Sequence, residues 1–483
     1  MYTISNRLKI VSIILMVLGV LGVAIGFMTS HKSLDEVKTM LAEEHSAHGG
    51  GHAVTTDAQA VGTHEITSGN ARQQDSNSEA LHADDVDTDH SEDATTGFGE
   101  VNHDGPNDHG ADAHAQHVQE QLAKRPWSAL YVAAFFFMMI ALGALAFYAI
   151  QFAAQAGWSP LLFRVMEGIT AYLLPGAIIV VAIALGSHYI GHHNEIFIWM
   201  NEDVVKDDEL IQGKSGWLNI TGFVIRAIIF IGGWSLYRHF ARKFSIAQDN
   251  AEEGDNRNFK KSFRIAAGFL VFFIYTESIM SWDWIMSVDP HWFSTLFGWY
   301  VFASMIVSAV TVIAMVTMYL KSKGLLAQVN DSHIHDLAKY MFGFSIFWAY
   351  LWFSQFMLIW YSNIPEEVTY FITRIEDYNL PFFGMLVLNF VFPLLILMNS
   401  DYKRINWFVI MAGIVILFGH YIDVFNMIMP ATVGDRWFIG IPEIGSICLF
   451  GGLFLFIVFT SLTKAPLVAK RNPFIHESEH FHY

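Results

Sequence analysis

Ten separate apolar windows, each about as long as a bilayer is thick, constrain this chain more than any other feature of its sequence. They lie near residues 8–28, 127–152, 160–185, 217–237, 263–281, 293–320, 338–360, 380–398, 405–429 and 441–462. A helix needs roughly 20 residues at about 1.5 Å each to cross about 30 Å of hydrocarbon. Only helices and closed barrels satisfy their own backbone there. The sequence therefore predicts an all-α integral membrane protein with ten transmembrane helices. A chain of 483 residues that is 53% hydrophobic and 15% charged is too apolar for a soluble multidomain protein, which agrees.

Five segments follow from this pattern. Residues 1–30 read as an anchor helix: Arg7 and Lys9 precede an apolar core too long for a cleaved signal, and no Ala-x-Ala site follows. Residues 31–125 form one long connection. Residues 126–290 and 291–430 are expected to be two consecutive four-helix bundles, and 431–483 the last helix and tail. With the N-terminus inside, cytoplasmic ends and termini hold 18 of the 28 Lys and Arg, while the short outer loops hold four: Lys206, Lys214, Arg374 and Arg436. This bias places both termini in the cytoplasm and exports the long connection to the periplasm of a bacterial inner membrane.

The exported segment holds 19 Asp and Glu against five Lys and Arg, so it carries most of the net charge of −17. The acidity therefore says little about ligands, and no nucleic-acid partner is implied. Eleven of the 22 histidines also lie there, irregularly spaced and with almost no aromatic residue. Such a segment cannot bury a core, and it is expected to be a largely disordered, solvated tether rather than a metal store. The single cysteine, Cys448, lies in an apolar run. It allows no internal disulfide, no four-cysteine cluster and no thioether-linked haem, and no metal or redox group is expected to be ligated by this chain.

Charged residues inside spans are costly unless they face the bundle interior and find partners, so they mark candidate chemistry. Glu277 and Arg226 lie on consecutive spans and are expected to pair, the arginine tuning a proton-exchanging carboxylate. Asp283 follows just beyond the expected end of that span, among tryptophans. His420 and Asp423 share one face of the ninth span at i and i+3. Laying Trp284–Met286 over Met427–Met429 sets Glu277 opposite His420, as an internal duplication would. In the inner half the candidates are Glu167 and its neighbour Arg164. A polar column in the seventh span, Ser345, Tyr350, Ser354 and Gln355 with Tyr361 at its end, reads as packing or as a water wire. His188, His192 and His193 lack a third ligand in view.

The run from Trp284 to Gly298 reads Trp-Ile-Met-Ser-x-Asp-Pro-His-Trp-Phe-Ser-Thr-x-x-Gly. With ten spans and a His-rich acidic loop after the first, it resembles the NrfD-like family, the membrane subunits of polysulfide reductase and its relatives. The start Met-Tyr-Thr-Ile-Ser and the long loop resemble the second, ActF-type, NrfD-like subunit of bacterial alternative complex III. That resemblance implies a membrane subunit of a quinol:cytochrome c, or other periplasmic acceptor, oxidoreductase. It implies as partners multihaem and monohaem cytochrome c subunits, an iron–sulfur subunit, a sister NrfD-like subunit, a terminal oxidase and lipid. Haem c and iron–sulfur clusters would sit in those partners, quinone or menaquinone would be the mobile carrier, and Trp282, Trp284, His291 and Tyr361 would be the candidates to line a quinone pocket. Proton transfer is expected at Glu277, Asp283, His420, Asp423 and Glu167 with Arg226. Two other readings stay open: a purely structural scaffold and a stand-alone secondary transporter.

Overall fold

The computed structural model describes residues 2–48, 108–191 and 194–482. Every described element is a helix. Ten are long and apolar enough to cross a membrane. They are α1 (Asn6–Ser30), α2 (Asp112–Ala153), α3 (Pro160–Tyr189), α4 (Ile220–Asp249), α5 (Arg257–Val288), α6 (Phe297–Ser322), α7 (Asp331–Ser362), α8 (Asn379–Leu397), α9 (Asn406–Val433) and α10 (Ile441–Leu462). The protein is an all-α membrane protein, as its apolar windows predict. The chain divides into two compact units: Met1–Leu34 with Gln116–Tyr483, which holds nearly all of the spans, and Asp35–Ala115.

One expectation is narrowed at its edges. The segment 31–125, read as largely disordered, is helical at both of its described ends, over Leu34–His48 and from Asp108 into the second span. The reason is local: Leu34–His48 is rich in Leu, Ala, Glu, Lys and Met and opens on Asp35 and Glu36, which favour a helix N-terminus. The expectation for residues 49–107 lies outside the described residues.

Helix boundaries follow short polar signals. Asn219 caps α4 by accepting the Gly222 N–H at 2.7 Å, and Asn330 caps α7 through the N–H groups of Ser332 and His333. α7 ends where Asn363 takes a left-handed conformation (φ 48°), and Pro365 then opens the short helix Pro365–Glu376. In α10, Pro442 sits in the first turn while Glu443 accepts the Gly440 N–H at 2.8 Å.

Two helices form the centre. The apolar windows of α2 and α6 are each 89% buried, whereas that of α1 is 17% buried. α2 and α6 are the first helices of the two expected four-helix bundles. Gly143 of α2 lies directly against Met305 and Ala309 of α6, where a side chain would collide with the Met305 carbonyl. Each central helix also bonds the last helix of its own half: the Tyr131 hydroxyl donates to the Trp284 carbonyl at 2.7 Å, and the Tyr300 hydroxyl donates to Asp423. The rest of each half follows by neighbouring hairpins, α4 with α5 and α6 with α7.

α1 lies along α10, and small residues explain how closely. In hydrocarbon, helices associate by packing and not by expulsion of water, so small residues that let backbones meet are decisive. Gly22 of α1 faces Gly445 of α10, and a Cβ on either would stand 2.9 Å from the other's Cα. Gly445→Leu is therefore expected to separate α1 from α10 and lower the thermal midpoint of the detergent-solubilised chain. Gly232→Ala, which meets nothing within 4 Å, should leave it unchanged; equal midpoints for both variants would remove the helix contact from this account.

Candidate functional site

Four clusters of buried polar groups contain the candidate residues. The first is at the end of the bundle where α4 begins and α5 stops, an end rich in tryptophan. Here Arg226 Nε donates to the Asp283 carboxylate, and the Trp217 Nε1–H donates to the same carboxylate at 2.7 Å. The guanidinium also lies 4.3 Å from the Trp217 ring centre and donates to the Trp217 carbonyl at 3.0 Å. This overturns the expected Arg226–Glu277 pair. The cause is helix length: α5 continues to Val288, beyond the expected end at 281, so Asp283 and not Glu277 reaches the depth of Arg226.

The second place lies between α6, α7, α8 and α9 and is fully enclosed. Asp423 accepts the Tyr300 hydroxyl and, at 2.8 Å, the Trp348 Nε1–H. His420 Nδ1 stands 3.4 Å from the same carboxylate, shares a hydrogen bond with Ser304 Oγ at 2.9 Å, and meets the Asn389 amide at 3.5 Å. His420 and Asp423 both have no exposed surface. Asn389 reaches them because of a π-type turn over Val387–Val391. Pro393, four residues on, lacks the N–H that the Asn389 carbonyl would otherwise accept, which loosens the helix there. Gly419 leaves the room, since a Cβ at that position would sit 2.1 Å from the Asn389 amide oxygen.

Next to this cluster is a cavity of about 10 Å³ lined by Tyr300, Gln355, Tyr370, Arg374 and Asn426 among others. That is room for about one water. The Gln355 and Asn426 side-chain oxygens are buried without a partner, so a water would find acceptors in place. Arg374 closes the cavity, donating to the Tyr370 and Asn426 carbonyls at 2.8 and 3.1 Å.

The third place is at the opposite end. Arg164 donates to Glu167 at 2.7 Å and to Asp249 at 2.5 Å, and the Tyr148 hydroxyl donates to Glu167 at 3.0 Å. The fourth is Glu277 itself. Its Oε1 is buried with no partner, and Oε2 receives only a 3.4 Å bond from Ser278. It borders an apolar cavity of about 240 Å³ lined by Phe273, Ser278, Trp299 and Phe302, beside exposed Ile274. α6 stands between Glu277 and His420: Trp299 and Phe302 line the Glu277 cavity, while Tyr300 and Ser304 bond Asp423 and His420. With no cationic partner and a cavity open toward the lipid side, Glu277 should be the carboxyl most readily labelled by a hydrophobic carbodiimide. Peptide mass spectrometry would show this, and a label on Asp283 instead would contradict it.

The sequence matches no family model and no curated protein.

The four residues expected to line a quinone pocket are not brought together. Trp284 is fully buried against Trp234 and Phe230, Tyr361 is 84% exposed, and His291 is at the surface, bonded to Asp208 at 2.6 Å. That bond and, more strongly, the Ile211 N–H hold the Asp208 carboxyl below its usual range. Trp282 alone of the four lines a larger cavity, described below. The expected column along α7 splits: Ser345 and Gln355 are buried, while Tyr350 and Tyr361 face outward. His188 lies 3.5 Å from Glu195; His192 and His193 lie outside the described residues.

Several members of these clusters carry no warning in the sequence. Tyr300, Ser304, Trp348 and Asn389 read as ordinary span residues, although the spacing of Tyr300 and Ser304, one turn apart on α6, does mark a common face. Arg374 was counted as a loop cation and proves 4% exposed. Arg125, counted with the connection, donates to both oxygens of Glu443 at 2.8 Å.

Proposed function

We propose that this chain is a membrane subunit of a quinol-oxidising respiratory complex of the alternative complex III type, its ActF-type component, and that it passes protons through the bundle. In this reading it lies in a bacterial inner membrane with both termini in the cytoplasm and the tryptophan-rich end outward. Electrons stay with partners: iron–sulfur and cytochrome c subunits, a sister NrfD-like subunit and a terminal oxidase. Quinone reacts in the assembly and not on this chain's own ligands.

The observation that carries the reading is the enclosed set Tyr300–Asp423–His420–Ser304, joined at Tyr300 to a one-water cavity. A carboxylate, an imidazole, a phenol and a water site in contact are the groups a proton relay needs, and a sealed site keeps bulk water from short-circuiting them. Arg226–Asp283 near the outer surface and Arg164–Glu167–Asp249 near the inner one place ionisable groups at the two ends. Glu277, apart from these, is not a step of the relay.

A scaffold role is the second reading, favoured by the closed geometry of the Arg164 and Arg226 pairs, which leaves each guanidinium compensated. The double replacement Arg226→Gln with Asp283→Asn separates the two. The relay reading expects the complex to assemble and its quinol-driven proton release to fall; unchanged release would favour the scaffold.

A further inference from the structure

At the tryptophan-rich end, next to the Arg226–Asp283 pair with which it shares Trp217, is a cavity of about 400 Å³ lined by Lys214, Asp289, Trp217, Trp282, Trp292 and Phe293 among others. The Nε1–H groups of Trp282 and Trp292 are both buried and make no hydrogen bond, although buried indole N–H groups ordinarily find an acceptor. Trp292 is 4% exposed and stacked on Tyr370 at 3.9 Å between ring centres, so its ring cannot swing to find one elsewhere.

Lys214 gives one bond to the Pro290 carbonyl at 2.5 Å and lies 5.5 Å from the Phe293 ring centre, which leaves two of its three N–H donors. Burial pushes its pKa down, and the nearby Asp289 and Asp208 carboxylates offset part of that. Asp289 lines the same cavity, and its carboxylate makes no hydrogen bond among the described residues. The walls are apolar rings, and half-exposed Trp217 and Phe293 continue them onto the bundle surface at the level where spans end.

An occupant must satisfy three demands at once. It needs an anionic group for Lys214, a cationic donor for Asp289, and hydrocarbon for the aromatic rim. Free phosphate meets only the first. A purely anionic lipid head meets the first and third but is repelled by Asp289. We propose that this cavity holds the head of a phospholipid that carries both a phosphate and a primary ammonium, as phosphatidylethanolamine does. The phosphate sits on Lys214, the ammonium on Asp289, and the chains descend along Trp217 and Phe293.

Native mass spectrometry of the full delipidated chain, titrated in turn with phosphatidylethanolamine, phosphatidylglycerol and inorganic phosphate, tests this. The wild type should retain phosphatidylethanolamine over phosphatidylglycerol by about fivefold, corresponding to about 1 kcal/mol. Asp289→Asn should erase that preference, and Lys214→Ala should weaken both lipids. Equal retention of the two lipids by the wild type, competition by inorganic phosphate, or a preference that survives Asp289→Asn would overturn the proposal. The first two results need no variant, so a variant that fails to fold cannot shelter it.

Discussion

Replacing Asp423 with asparagine is expected to slow quinol-driven proton release by about 10²-fold, the scale on which a positioned proton-transfer group contributes. The change is nearly isosteric. The amide oxygen still accepts the Trp348 N–H, which lies 2.8 Å from the carboxylate, and the site keeps its packing because neither Asp423 nor His420 has exposed surface. What the amide cannot do is take a proton and hand it on. The Tyr300 hydroxyl then faces a group that no longer exchanges with the one-water cavity beside it. The measurement is acidification by the complex reconstituted in vesicles, with subunit content checked by mass spectrometry so that loss of assembly is not mistaken for loss of transfer. Tyr300→Phe should have a smaller effect, since water can bridge part of the gap. Normal release from Asp423→Asn would remove the cluster from the mechanism.

The largest structural effect is expected at the other end of the chain. Arg125 Nε and Nη2 each donate to Glu443 at 2.8 Å, the guanidinium lies 3.2 Å from the Phe438 ring centre, and Glu443 has no exposed surface. Arg125→Met removes the only cation that Glu443 bonds among the described residues and leaves that carboxylate buried with the Gly440 N–H as its remaining donor there. Breaking a buried pair in this way costs about 3–5 kcal/mol, because the surviving charge is uncompensated. The thermal midpoint of the solubilised chain should fall accordingly. Arg125→Met combined with Glu443→Gln should regain most of the loss, since a neutral amide costs far less to bury. A double variant as unstable as the single one would show that packing, and not charge, is what Arg125 supplies.

The spans were legible because a length of apolar residues is a one-dimensional property. All ten windows correspond to helices, and the adjacency of His420 and Asp423 was legible for the same reason, being set by helical spacing. Partners across helices were not. Whether Arg226 meets Glu277 or Asp283 depends on where α5 stops, and a few residues of error at that end changed the partner. Arg125 and Glu443 are separated by 318 residues, and nothing local to either announces the other. Asn389 depends on a helix distortion that Pro393 permits and on a glycine, Gly419, across from it. Aromatic donors such as Tyr300 and Trp348 look like packing until the face they present is known. The same limit separated the four residues once grouped as a quinone pocket, which share an end of the bundle but not a cavity.

The most direct test of the account is purification of the tagged native chain in mild detergent, read by its visible haem spectrum, iron content and subunit mass spectrometry. The account predicts recovery with multihaem cytochrome c and iron–sulfur subunits. A colourless protein that purifies alone would contradict it and leave the buried clusters to be explained by a transporter or a scaffold.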